Sequence, residues 1–246
     1  YTVEINPQTV KACRTFLEYF GFDRNVVEVI EGDSTKFNLP EQADMIVSEN
    51  MYTGLFAEPQ MQIINNLRRF LKPNGKIIPE KFSSYLELVE APGLTEKSVV
   101  RNEAKIPLKP ATTRAQFDVV NFGRDEEVSR QGTVIIRATN NATIEAVNVS
   151  SVIDLTSQTR INSNTCDFLG QDELVRLATP ILLKAGELYQ VEIEYAVGCK
   201  PKDIKIKIEP AKKLRLDAAV PKKIKEEEDK KRVEFETSLA AIGSDI

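Results

Sequence analysis

The texture of this chain changes once, near Ile78-Pro79, and that change limits the folds open to it. Before it, short apolar runs alternate with amphipathic stretches. After it, β-prone runs follow one another with almost no helix. Alternation of the first kind predicts a parallel sheet with right-handed crossovers. Serial strands with short turns predict an antiparallel barrel or sandwich. The expected architecture is therefore α/β, with an open sheet over 1–80, an antiparallel β-barrel over 81–212 and a charged helical or disordered tail over 213–246.

In the first part Tyr1–Ile5, Val26–Ile30, Ala43–Ser48 and Lys76–Ile78 read as strands. Asn6 and Pro7 form a helix start, a side-chain cap followed by a residue whose fixed φ suits the first turn. Val10, Cys13, Phe16, Leu17 and Phe20 then make one apolar face, and Gly21 ends the helix. Met61, Ile64, Leu67, Phe70 and Leu71 make a second face, closed by Pro73-Asn74-Gly75. In the second part strands are expected at 83–90, 115–120, 133–138, 143–155, 189–197 and 204–208, with Asn140-Asn141 as a hairpin turn between the third and fourth. The tail carries IKEEEDKKRVEFE, mixed charge with few apolar anchors.

Acids fall at the carboxyl ends of three successive strands: Glu4, Asp33 and Glu49. In open α/β sheets ligands bind there, and an acid after the first crossover commonly meets ribose hydroxyls. One loop acid alone is as often solvated as functional; three in this pattern point to a shared site. A further acid, Glu58, follows Glu49 by nine residues across a turn-prone loop holding Asn50, Tyr52, Thr53 and Gly54. Two carboxylates aimed into one pocket suit a flat, permanently charged cation, and guanidinium fits a carboxylate fork best.

The absences narrow the chemistry. There is no histidine, so imidazole acid–base catalysis and imidazole metal ligation are excluded. Cys13, Cys166 and Cys199 are too few and too scattered for a disulfide framework or a zinc site, which fits a cytoplasmic protein. No apolar run reaches the roughly 18 residues of a membrane span, and no signal-peptide pattern is visible. A net charge of −4 carries no nucleic-acid footprint and mildly favours a basic protein partner.

Ser48-Glu49, then Glu58, a helix and the run LKPNGKIIPE together resemble the protein arginine methyltransferases, a branch of the class I S-adenosylmethionine-dependent enzymes. The resemblance covers nearly all of 1–210 and is strongest over 1–91. It implies a truncated Rossmann-like methyltransferase sheet followed by an antiparallel β-barrel, and methyl transfer from S-adenosylmethionine to an arginine-containing protein, with a homodimer as the family's assembly. Glu4 would hold the cofactor's ribose, Asp33 and Ser34 would lie beside its adenine, Glu49 would border it, and Glu49 and Glu58 would clamp the guanidinium.

Departures from the family pattern shape further expectations. The family's first strand and glycine-rich loop have no counterpart in these residues, and Tyr1 falls inside a strand, as expected of a fragment. This chain alone is therefore expected to bind S-adenosylmethionine poorly and to be inactive. The family's Thr-His-Trp loop is lacking, with Asp167–Glu173 at its approximate place, and Asn50 stands where a Trp usually follows the first clamp Glu. These departures leave two alternatives: a methyltransferase acting on RNA or a small molecule, and a non-catalytic scaffold on a decayed methyltransferase fold.

Overall fold

The computed structural model describes residues 1–101, 106–163, 165–166 and 171–211. The charged tail expected over 213–246 lies outside them. The chain opens with β1 (Thr2–Glu4), α1 (Pro7–Tyr19), β2 (Val29–Glu31), β3 (Ala43–Val47), α2 (Gln60–Leu67) and β4 (Leu71–Ile78). Asn6 caps α1 as expected: its Oδ1 accepts the Gln8 and Thr9 amides at 2.9 and 3.4 Å, and Pro7 takes the first turn. β1 pairs with β2, and β3 with β4, both in parallel. The Asn66 amide on α2 donates to the Ser34 and Phe37 carbonyls at 3.0 and 2.7 Å, which fixes the loop after β2.

Two expectations for this part are corrected. The second strand begins at Val29, because 24–26 are spent in a turn in which Asp23 accepts the Val26 and Val27 amides. The second helix stops at Leu67, and Leu71 already pairs with Ala43. Pro73-Asn74-Gly75 therefore lies within β4 as an irregularity, and the register jumps from Leu71 to Lys76. The apolar face of α1 is mostly uncovered: Val10 is buried, whereas Phe16 and Phe20 are 61% and 56% exposed and stack on each other at 4.6 Å. Periodicity shows that a helix has an apolar face, not what covers it.

The second part comprises β5 (Lys81–Glu90), β6 (Ser98–Val100), β7 (Lys109–Pro110), β8 (Ala115–Asn121), β9 (Ser129–Arg137), β10 (Ala142–Asp154), β11 (Arg160–Asn162), β12 (Glu173–Leu183), β13 (Leu188–Ala196) and β14 (Lys205–Pro210). Seven of these strands form one curled sheet in the order β6-β12-β10-β5-β7, with β11 on β10 and β8 on β5. β14-β13-β9 form another. Every pairing described after β4 is antiparallel. Alternation puts Tyr189, Val191, Ile193 and Tyr195 of β13 inward, as a sheet covered on one face requires. Asn140-Asn141 is not a hairpin turn between paired strands. β9 pairs with β13, β10 with β5 and β12, so the chain crosses there from one sheet to the other.

A buried polar joint links the two sheets. Arg130 of β9 binds both carboxylate oxygens of Asp118 on β8, and the Tyr195 hydroxyl of β13 donates to Asp118 Oδ2 at 2.8 Å. Bonding to Asp118 raises the Arg130 pKa further above its usual value against the cost of burial. The main core joins the loop and helix after β3 to the antiparallel sheets: Leu55, Phe56, Met61 and Ile64 pack in one cluster with Phe82, Leu86, Ile144 and Val191. Burial of each such side chain is worth about 1.5–3 kcal/mol. No helix among the described residues is long and apolar enough to cross a membrane.

Asp154, at the end of β10, receives Lys81 at 2.6 Å and Arg160 at 2.5 Å. Burial alone would raise its pKa, but these two cations outweigh it and hold the carboxyl below its usual value. A depressed pKa stabilises the fold above the unfolded value, about 3.9. That contribution is lost as pH falls through the folded value. Asp154→Asn should therefore destabilise the protein near neutrality and flatten the acid limb of its stability curve. Urea midpoints between pH 7 and 3 measure this; parallel wild-type and variant curves would refute it.

Candidate active site

Glu4 closes β1, and β3 runs straight into Ser48-Glu49. β1 and β3 do not pair with each other. A groove of about 380 Å³ runs along both strands instead, a size typical of small-molecule sites. Glu4, Ser34, Glu49 and Asn50 supply its polar wall, and Met45 and Val47, half-exposed and exposed, its apolar floor. Glu4 Oε1 accepts the Asn6 amide at 2.7 Å, which orients the carboxylate and leaves Oε2 unbonded among the described residues.

The other two predicted acids lie elsewhere. Asp33 does not line this groove. Its Oδ1 accepts the Thr35 hydroxyl at 2.6 Å and the Thr35 amide at 2.9 Å, and these bonds lower its pKa. It closes the turn that sets Ser34. Glu58 is half-buried on the returning limb of the loop and is not among the groove's lining residues. A larger cavity, about 520 Å³ beside β4 and β5, is lined by Lys81, Asp154 and Arg160, which already satisfy one another. Among the described residues no cluster of three metal-binding side chains occurs.

The loop between Glu49 and Glu58 is strained and strongly held. Gly54, Leu55 and Ala57 have φ of 69°, 61° and 61°. For leucine and alanine that conformation costs about 1–3 kcal/mol each and persists only where the surroundings impose it. Here they do. The Gly54 amide donates to Ser151 Oγ at 2.8 Å, the Ala57 amide to the Cys199 carbonyl at 2.9 Å, and the Gly198 amide to the Leu55 carbonyl at 3.1 Å. Gly198, at φ 78°, suits glycine: a Cβ would be strained there and would sit 3.2 Å from Pro59 Cα and 3.3 Å from the Glu58 carbonyl oxygen. Leu55 and Phe56 are buried, and the Phe56 ring meets Tyr195 edge-on at 5.1 Å.

Sequence reasoning missed the groups beneath this loop. The Tyr52 hydroxyl donates to Glu173 Oε2 at 2.8 Å, Ser98 Oγ donates to Glu173 Oε1, and Thr53 Oγ1 donates to the Gln171 carbonyl. Burial raises the Glu173 pKa against the two hydroxyls that lower it. The sequence signals were the place of Asp167–Glu173 in the family pattern and a polar residue opening an apolar strand, and that strand, β12, was not foreseen.

Comparison with known proteins agrees with this architecture. Residues 1–78 match the family described as methyltransferase domain. An uncharacterized protein of Methanocaldococcus jannaschii is 40% identical over 93 residues, 37% of this chain and 35% of that protein. Protein arginine N-methyltransferase 5 of Xenopus laevis is 33% identical over 124 residues, 48% of this chain and 18% of that protein. The matched part thus spans about a third or less of these relatives. The solved Trypanosoma brucei PRMT1 enzyme–prozyme heterotetrameric complex with AdoHcy shares the fold at a TM-score of 0.68, with 16% identity over 87% of this chain and 77% of that one. Over 1–78 the chain is thus similar to methyltransferase domains, and the described fold is that of the solved neighbour. Among such proteins the chain is similar to the protein arginine N-methyltransferases.

Proposed function

We propose that this protein is an S-adenosylmethionine-dependent N-methyltransferase whose acceptor is the guanidinium of a protein arginine. One observation carries the reading: Glu4, Ser34 and Glu49, from three separate strand ends, line a single groove. The groove fits the cofactor's chemistry, since the open Oε2 of Glu4 can accept a ribose hydroxyl. Bound S-adenosylmethionine would supply a sulfonium-bound methyl. Glu49 and Glu58 act on the acceptor. Guanidinium is protonated with its charge delocalised, so no nitrogen has a free lone pair. Two carboxylates draw the positive charge toward part of the group, leaving one nitrogen more nucleophilic, and they fix that nitrogen's direction. The relatives named as arginine methyltransferases support this acceptor.

Among the described residues no glycine lines the groove, so it should hold S-adenosylmethionine weakly. Function is tested with methyl-labelled S-adenosylmethionine and arginine-rich peptides. Label recovered as methylarginine after hydrolysis supports the reading. Label in RNA or a small molecule would move the acceptor, and a protein that binds the cofactor without transfer would be a scaffold. Glu4→Ala should weaken cofactor binding by roughly 10- to 100-fold, the worth of a charge-assisted hydrogen bond. Calorimetric titration measures it, and unchanged affinity would remove Glu4 from the ribose site.

A further inference from the structure

We propose that Glu173 is a positioning residue: with Tyr52 and Ser98 it forms a buried tie that fixes the loop carrying Glu49 and Glu58 to the β-sheet beneath. The proposal rests on the function given above for those two carboxylates and adds the group that sets their aim. Glu173 opens β12 and is 2% exposed. It is bonded on one oxygen by Tyr52, three residues after Glu49, and on the other by Ser98 of β6, the strand paired with β12. A parallel strut runs beside it. The Gly54 amide donates to Ser151 Oγ, the Ser151 amide to Ser163 Oγ at 2.9 Å, and Ser163 Oγ to Asp172 at 2.5 Å.

A buried carboxyl is a poor device for stability alone, because desolvating it costs more than an apolar side chain of similar volume would. What it supplies is direction. Ser98 of β6 fixes one Glu173 oxygen, so the Tyr52 hydroxyl can reach the other only with the loop in one place, and that loop is the strained one. The strain at Leu55 and Ala57 would otherwise relax by moving Glu58, the next residue along.

Amide hydrogen exchange on this chain tests the tie. Tyr52→Phe and Glu173→Leu should speed exchange at Gly54 and Ala57 by roughly tenfold or more while β13 amides keep their protection. Glu173→Gln, which retains an acceptor for Tyr52 and a donor for Ser98, should restore most of that protection. Unchanged exchange at Gly54 in Tyr52→Phe would overturn the proposal. So would equal loss of protection in β13, which marks a general structural role. If Glu173→Leu does not fold, Tyr52→Phe decides alone. Tyr52→Phe should also weaken binding of an arginine peptide several-fold. A parent that binds no such peptide would refute the acceptor, while the exchange data would still decide the tie.

Discussion

Glu58→Gln should lower methyl transfer by the protein roughly 10²–10³-fold while leaving S-adenosylmethionine affinity within a factor of about two. The substitution keeps the size of the side chain and removes its charge. A neutral amide still accepts one guanidinium hydrogen bond but no longer draws positive charge toward itself, so the attacking nitrogen stays poor. The affinity should hold because Glu58 does not line the groove that Glu4, Ser34 and Glu49 share. Glu49→Gln should differ in one respect. Glu49 lies on the groove wall, so its loss should reduce the rate comparably and also weaken the cofactor modestly. Rate constants under single-turnover conditions separate chemistry from binding. A Glu58→Gln enzyme that lost affinity and rate in equal measure would show that Glu58 serves the cofactor, and the clamp would be abandoned.

The broad fold was legible because two periodicities meet at Pro79, and each is set by local chemistry. Asn6-Pro7 started a helix, Val191, Ile193 and Tyr195 alternated, and Ser48-Glu49 ended a strand, all within a few residues of where they were expected. What failed depended on distant partners. β12 was missed because its sequence, ELVRLATPILL, contains Pro180, which cannot donate to a ladder. The strand tolerates it because the register against β10 breaks between Arg176 and Ile181, opposite Ala146 and Ile144, and Pro180 falls in the gap. The supposed hairpin at Asn140-Asn141 failed for a related reason: turn residues mark a reversal, and strand pairing is decided by sheets elsewhere in the chain.

The candidate site divides the same way. Glu4 and Glu49 could be read from strand ends because topology alone puts them on one edge. Glu173 could not, since its partner Tyr52 is 121 positions away. Neither could the strain at Leu55 and Ala57, which contacts with Gly198, Cys199 and Ser151 impose from outside the loop. Side chains at strand ends can be placed from residue type and spacing. Those that hold them in place are chosen by the packing.

Phe56→Ala should be among the most damaging single changes to the fold, at about 3–5 kcal/mol, the usual loss for a fully buried aromatic ring. Phe56 is 0% exposed, though it belongs to a loop, and it sits between the two positive-φ residues Leu55 and Ala57. Its ring covers Gly54 so closely that a Cβ there would lie 2.5 Å from it, and it makes a T-shaped contact with the ring of Tyr195, whose hydroxyl bonds Asp118. The ring therefore joins the loop to the polar joint between the two sheets. Removing it leaves a cavity at that joint and releases the segment leading to Glu58. Total stability for a domain is only about 5–15 kcal/mol, so the variant should unfold far earlier in urea. Tyr195→Phe provides the control: it keeps the ring contact and removes only the hydroxyl bond to Asp118, so it should cost less, about 1–3 kcal/mol. A loss under about 1 kcal/mol for Phe56→Ala would mean that this loop is not part of the core. The case for a rigidly aimed Glu58 would then fall with it.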